Sequence, residues 1–220
     1  MVEQLTEIDV DRVRENLAEI EERVAGAAVT AGRDRSQIEI VAATKYVSPG
    51  ALGALAEAGV KCVGENRQQD LVAKQELWGD LFTWDFIGDL QSRKVPSLVG
   101  RVRLIHSVAS ESALAKFERD DARDQRILVQ VNISGEESKG GVAPSDLGSF
   151  IERAACDVVG LMTMPPLASV PEDNRRYFAA LRDLADLHGL SELSMGTSQD
   201  FEIAVEEGAT MVRIGAVLCR

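Results

Sequence analysis

The stretch IEIVAATKY, residues 38–46, opens with seven residues that are almost entirely apolar and β-branched or small. Such a run suits a strand buried on both faces. It stops at Lys45 and Tyr46, and a Ser48-Pro49-Gly50 break follows. Working outward, the same pattern recurs at KCVGE (61–65), WDFIG (84–88), RLIHSV (103–108), RILVQVNI (126–133), DVVGLMT (157–163), LSELSM (190–195) and TMVRIG (210–215). Helix-like segments lie between them, at 49–58, 67–77, 110–117, 144–155, 174–188 and 199–207. A further helix is expected over 90–99, interrupted by Pro96. Parallel strands need a crossover element between them, so strict alternation argues for a parallel sheet. Eight units point to a closed (β/α)8 barrel of the TIM type.

Before the first strand, Val13, Leu17, Ile20 and Val24 share one face of a long helix expected over 6–31, with Thr6 and Asp9 as its cap. The expected organisation is one domain over 1–220: an N-terminal helix within 1–32 and a barrel over 38–220. With little sequence after the last strand, a closing C-terminal helix is expected to be missing or replaced by the N-terminal one. The loops 136–142 (EESKGGV) and 163–171 (TMPPLASVP) both follow strands. They are expected at the C-terminal face, the first mobile and the second stiffened by proline.

The net charge of −12 argues against nucleic acid or an anionic membrane as a partner drawn by bulk charge. No run of about 20 apolar residues is present. The acidic start of the chain does not resemble a secretion signal. Cys62, Cys156 and Cys219 are far apart and odd in number, without metal-ligand or disulfide spacing. These features suit a reduced, cytoplasmic protein.

Two groups of residues bear on chemistry. Lys45, at the mouth of a buried strand, is read either as a lysine that reaches water or as a desolvated amine held for attack on a carbonyl. Thr197 and Asp200 match a capping box, so Gly196, Thr197 and Ser198 form a strand-to-helix turn suited to a phosphate. Gly215, at the next strand end, lets a ligand approach the backbone. The alternative is a plain cap and an ordinary glycine turn. In (β/α)8 barrels the loops after strands seven and eight often bind phosphate. A lysine and a phosphate cradle on one mouth fit a ligand with an aldehyde at one end and a phosphate at the other. Pyridoxal 5′-phosphate and a phosphosugar both qualify.

Read in order, VAATKY (41–46), VGEN (63–66), DFIGDLQSRK (85–94), IHSV (105–108), VNISGEESKGG (131–141), GLMTMPP (160–166), LSMGTSQD (193–200) and VRIG (212–215) resemble the pyridoxal phosphate homeostasis proteins. These are single-domain relatives of the alanine racemase N-terminal barrel. The resemblance implies that Lys45 carries pyridoxal 5′-phosphate as a Schiff base. It implies that Ser198, with backbone near Thr197, Gly215 and Ala216, holds the phosphate, and that Arg213 faces the pyridine nitrogen. A guanidinium there disfavours protonation of the ring and makes it a poorer electron sink. Asn66 and Asn132 are expected to line the mouth or to cap turns, and Met162 and Met164 to touch the ligand or, for at least one of them, to fill the core. His106 is read as a satisfied structural residue. Tyr46 is expected to point away from Lys45, by strand alternation. The sequence departs from the family pattern at Asp89, where histidine is usual, and at Ala216, where Ser or Thr is usual.

The resulting expectation is a non-catalytic binding protein that stores and delivers the cofactor and limits free aldehyde. Apo pyridoxal phosphate-dependent enzymes are its possible recipients, and it is expected to be a monomer. The rivals are an amino-acid racemase and a lysine Schiff-base phosphosugar aldolase.

Overall fold

Eight short parallel strands pair in sequence order, and the last pairs back onto the first to close a barrel in this computed structural model. The residues described are 4–136, 139–166 and 170–220. The strands are β1 (Glu39–Ala43), β2 (Cys62–Glu65), β3 (Thr83–Phe86), β4 (Leu104–Val108), β5 (Arg126–Gln130), β6 (Asp157–Met162), β7 (Glu192–Thr197) and β8 (Met211–Ile214). The expected eight strands are all present, most of them shorter than their apolar runs, and β7 is displaced two residues toward the C-terminus of its run. β5 stops at Gln130, three residues before the end of RILVQVNI, so Asn132 lies in the following loop. The loop expectations over 136–142 and 163–171 fall partly on residues 137–138 and 167–169, outside the described residues.

Helices fill the crossovers: α2 (Gly53–Glu57), α3 (Gln68–Trp78), α4 (Val95–Leu98), α5 (Glu111–Arg119), α6 (Leu147–Glu152), α7 (Arg175–Leu187) and α8 (Phe201–Glu206). The segment around Pro96 forms a single helical turn with the proline in its first turn. No N–H is needed at that position. At 49–58 and 144–155 a tight 3-10 turn precedes a shorter α-helix than expected. α1 (Val10–Thr30) precedes the barrel and starts at Asp9, not Thr6. The Asp9 carboxylate accepts from the N–H groups of Asp11 and Arg12 at 3.0 and 3.2 Å. α1 packs against α8, α2 and the last turn of the chain. Asn16 Nδ2 donates to the carbonyls of Val217, Leu218 and Arg220, which ties α1 across the C-terminal end. No helix among the described residues is long and apolar enough to cross a membrane.

Strand alternation sorts the side chains into two cores. The larger lies between strands and helices and includes Phe86, Ile105, Ile127, Met195 and Val212. The smaller fills the barrel interior with Val41, Cys62, Leu104, Leu128, Met162 and Met211. The interior also holds four buried polar side chains: Asp85, His106, Ser194 and Arg213.

Candidate functional site

At the C-terminal mouth of the barrel a cavity of about 430 Å³ is lined by Ala43, Lys45, Tyr46, Asn66, Ile87, Met164, Thr197, Ser198, Gln199, Arg213 and Gly215. This is the size range of small-ligand sites. A second cavity, of about 540 Å³, lies at the opposite end of the barrel. Its charges are largely paired with one another, Arg103 with Glu39 and Arg126 with Glu192. The Arg103 guanidinium also stands beside Asp85 and the Cys62 thiol there. The mouth cavity differs in holding polar groups with unused hydrogen-bonding capacity.

Lys45 is exposed, and no ion pair reaches it among the described residues. The desolvation expected of it is therefore not found. Its amine lies 4.7 Å from the centroid of the Tyr46 ring, a cation–π contact. Tyr46 does not point away: it lines the same cavity. β1 ends at Ala43 and residues 45–46 are in a turn, so the two-residue alternation no longer applies.

On the opposite wall, β7 leads into a turn at Gly196, whose φ is +88°. A Cβ at this position would lie 2.5 Å from Ala204 Cβ, so both space and conformation require glycine. The Asp200 carboxylate accepts from the Thr197 N–H at 2.7 Å and from its hydroxyl at 3.1 Å. The expected capping box is thus half made: the acidic residue reaches back, but the Thr197 hydroxyl donates to it. α8 begins at Phe201, two residues later than expected. Ser198 Oγ accepts from the Gly215 N–H at 3.0 Å, which joins the two turns of the proposed cradle. Its own O–H is left free to donate to a ligand.

Arg213 projects into the barrel from β8 and has no carboxylate partner among the described residues. Its Nη1 donates to the Ser194 carbonyl at 2.8 Å and to Ser194 Oγ at 2.5 Å. Its Nη2 donates to the Thr163 carbonyl and to Met164 Sδ, both at 2.9 Å. Burial lowers its pKa to about 10, with Asp200 opposing, so it remains a cation near neutrality.

The barrel therefore brings Lys45, Asn66, Thr197, Ser198, Arg213 and Gly215 around one cavity. Asn66 Oδ1 is buried there without a hydrogen-bond partner among the described residues. Three expected residues are not in the lining. Met162 is buried in the interior layer while Met164 lines the mouth, so one of the two methionines is core, as expected. Asn132 caps its own loop, donating to the carbonyl of Glu136 at 2.9 Å and accepting from the Gly135 N–H at 3.1 Å. Ala216 starts the closing 3-10 turn beside Gly215. Sequence reasoning missed the contact between Tyr46 and Lys45, and the link from Arg213 to Ser194. For the second a partial signal existed: Asp85, His106, Ser194 and Arg213 are polar residues at the inward positions of otherwise apolar strands, which marks them as interior but not which of them meet.

The alanine racemase N-terminal domain family matches residues 8–219. A pyridoxal phosphate homeostasis protein of Aquifex aeolicus is 41% identical, over 93% of this chain and 96% of its own length. The chain belongs to the pyridoxal phosphate homeostasis protein family. PipY of Synechococcus elongatus, solved with pyridoxal phosphate bound, is 28% identical with a TM-score of 0.77, over 94% of this chain and all of that one. An alanine racemase of Clostridium difficile shares the fold, at 15% identity and a TM-score of 0.72. This chain aligns over 96% of its own length but spans only 57% of that racemase. Membership of the pyridoxal phosphate homeostasis protein family gives the mouth cavity a ligand class against which to test its residues. They fit it: an amine, a free hydroxyl beside glycine backbone, an orphaned amide oxygen and a buried cation face one space.

Proposed function

We propose that this protein binds pyridoxal 5′-phosphate at the barrel mouth, with Lys45 as the covalent attachment point. We further propose that it acts in cytoplasmic cofactor homeostasis, without substantial turnover of its own. The observation that carries the reading is the convergence of Lys45, Ser198 and Arg213 on one cavity of about 430 Å³. The names of its relatives and the ligand of PipY support it.

The bound group supplies an aldehyde, which condenses reversibly with a primary amine and releases water. The Lys45 amine is exposed to the cavity for that purpose, with the Tyr46 ring beside it. The Ser198 O–H and the Ala216 backbone hold the phosphate end, and Gly215, whose N–H is bonded to Ser198 Oγ, lets it approach the backbone. Ala216 contributes no hydroxyl, so backbone donors and Ser198 carry that end. Arg213 places a cation at the ring-nitrogen end, which keeps the nitrogen unprotonated and limits carbanion chemistry. Thr197, tied to Asp200, shapes the wall. Asn132 and Met162 act from outside the lining, as a loop brace and interior packing. Apo pyridoxal phosphate-dependent enzymes are the proposed recipients, the protein acts as a monomer, and the chain is one domain.

The test is reduction of the cofactor-loaded protein with borohydride, followed by peptide mapping. The expected result is a mass increment on Lys45, absent in Lys45→Ala together with the visible absorbance. An increment on Lys61 or Lys94 instead would overturn the assignment.

A further inference from the structure

The interior of a (β/α)8 barrel is ordinarily filled by branched apolar side chains. Here β3, β4, β7 and β8 each place a polar group inside: Asp85, His106, Ser194 and Arg213. Burying four such groups is costly unless each is partnered, and each is.

The direction of every bond follows from which groups can accept. A guanidinium has five N–H donors and no acceptor. Arg213 Nη1 therefore donates to Ser194 Oγ, at 2.5 Å. The Ser194 O–H is then left to donate, and His106 Nδ1 stands 2.8 Å away. Nδ1 must be the unprotonated nitrogen, so the proton of the neutral ring is on Nε2. That N–H faces Asp85 Oδ2 at 3.1 Å. Arg103 closes the chain, with Nε to Asp85 Oδ1 at 3.0 Å and Nη2 to Oδ2 at 2.5 Å. A proton on Nδ1 would confront Ser194 Oγ with two donors and leave its own hydrogen without this acceptor.

The same count applies at Arg213. Four of its five N–H groups are used by Ser194, Thr163 and Met164. Among the described residues, Nε–H is the donor left over. We propose that Ser194 and His106 are positioning residues for Arg213, fixing its guanidinium so that the free Nε–H meets the ring nitrogen of the bound ligand. This rests on the reading of the mouth as a pyridoxal phosphate site. Ser194 gives Arg213 its anchor within the sheet, because β7 carries both acceptors of Nη1. His106 fixes the rotor of that serine, and Asp85 fixes the tautomer of the histidine.

The experiment compares pyridoxal 5′-phosphate with its 1-deaza analogue, in which a ring C–H replaces the nitrogen. Binding is measured in the unmodified protein, Ser194→Ala, His106→Leu and His106→Asn. The Asn side chain keeps an acceptor for the Ser194 hydroxyl, and Leu does not. The unmodified protein should prefer the nitrogen-containing ligand by about 10-fold, as expected for a hydrogen bond from a charged donor. Ser194→Ala and His106→Leu should reduce the preference to about 2-fold or less, while the borohydride-fixed adduct at Lys45 persists. His106→Asn should retain it. Nitrogen NMR of the ligand-free protein gives a readout independent of the cofactor. The chain has only two histidines, and His106 should show a neutral ring protonated on Nε2 at pH 7. An Nδ1–H tautomer, an imidazolium, or unchanged ligand preference in both Ser194→Ala and His106→Leu with the adduct intact would each overturn this inference alone. Absence of the Lys45 adduct in the unmodified protein would overturn the reading of the mouth, and this inference with it.

Discussion

Lys74 Nζ donates a hydrogen bond to the carbonyl of Thr44 at 2.8 Å, so the residue preceding Lys45 is anchored to α3. Lys74 is fully buried and paired with the equally buried Glu65 of β2. The Thr44 hydroxyl donates to the same Glu65 oxygen. One helix residue thereby ties the ends of β1 and β2 together directly beneath the proposed attachment point. The other carboxylate oxygen, Glu65 Oε2, has no hydrogen-bond partner among the described residues.

Removing one member of this pair leaves a buried charge uncompensated. Lys74→Met should lower stability by about 3–5 kcal/mol, and adding Glu65→Leu should recover most of the loss. Urea unfolding of the single and double variants measures both. A single variant within about 0.5 kcal/mol of the parent would show that Glu65 is not held as an ion.

Ser198 is the hydroxyl donor proposed for the phosphate. Ser198→Ala removes a charge-assisted bond worth roughly 1.5–3 kcal/mol, and also the acceptor of the Gly215 N–H. Pyridoxal phosphate should bind about 10- to 100-fold more weakly, and unphosphorylated pyridoxal should hardly change. Titration with both ligands decides the matter, and equal losses would remove the phosphate role.

His106 gives the protein an acid-side stability limit. Burial lowers its pKa; Asp85 opposes this, and Arg213 and Arg103 add to it. The unfolded chain binds a proton at this histidine below about pH 6.5, where the folded protein still does not. Stability should therefore fall as pH drops from 7.5 to 5.5, by up to about 1.4 kcal/mol per pH unit from this group. His106→Asn should flatten that slope. Asp85 does not contribute in this window. Burial pushes its carboxyl up, but the bonds from His106 and Arg103 outweigh this and hold it below the usual range. Its contribution is present above about pH 3.9 and is lost on further acidification. Urea midpoints at the two pH values, with and without the substitution, provide the check.

The contact between Tyr46 and Lys45 raises the racemase reading again, because a tyrosine stands at the amine. Two-base racemisation needs proton-transfer groups on opposite faces of the substrate α-carbon. The Tyr46 ring lies against the Lys45 amine at 4.7 Å, and so on the same side. In the place proposed for it at the ring nitrogen, the cation of Arg213 would also limit the ring as an electron sink. Incubation with L-alanine in deuterated water should give no D-isomer and no α-deuterium at a rate near 1 s⁻¹. Turnover at that rate would make the protein an enzyme.

The order of apolar runs was enough to read the barrel, because a parallel strand buried on both faces leaves a nearly continuous apolar signature. That Lys45, Ser198, Gly215 and Arg213 would line one cavity was legible for a related reason. Strand ends of one barrel share one mouth, so position along the chain implies position at the site. Of the two readings of Asn132 the turn cap is the one found, and it stands past the strand end because an apolar run does not mark where ladder pairing stops. β5 gives way to a loop at Gln130, and the Asn132 amide satisfies that loop.

What the sequence by itself determined was the periodicity: eight strands, their crossovers, and which residues stand at their ends. Tertiary structure decided which polar groups meet. The bond from Lys74 to Thr44 spans thirty residues, and that between His106 and Ser194 spans eighty-eight. Such pairings depend on barrel closure and register, which set distances between strands that no local pattern encodes. The side on which Tyr46 lies was decided in the same way, since alternation lapses once β1 has ended and the turn after it orients the ring.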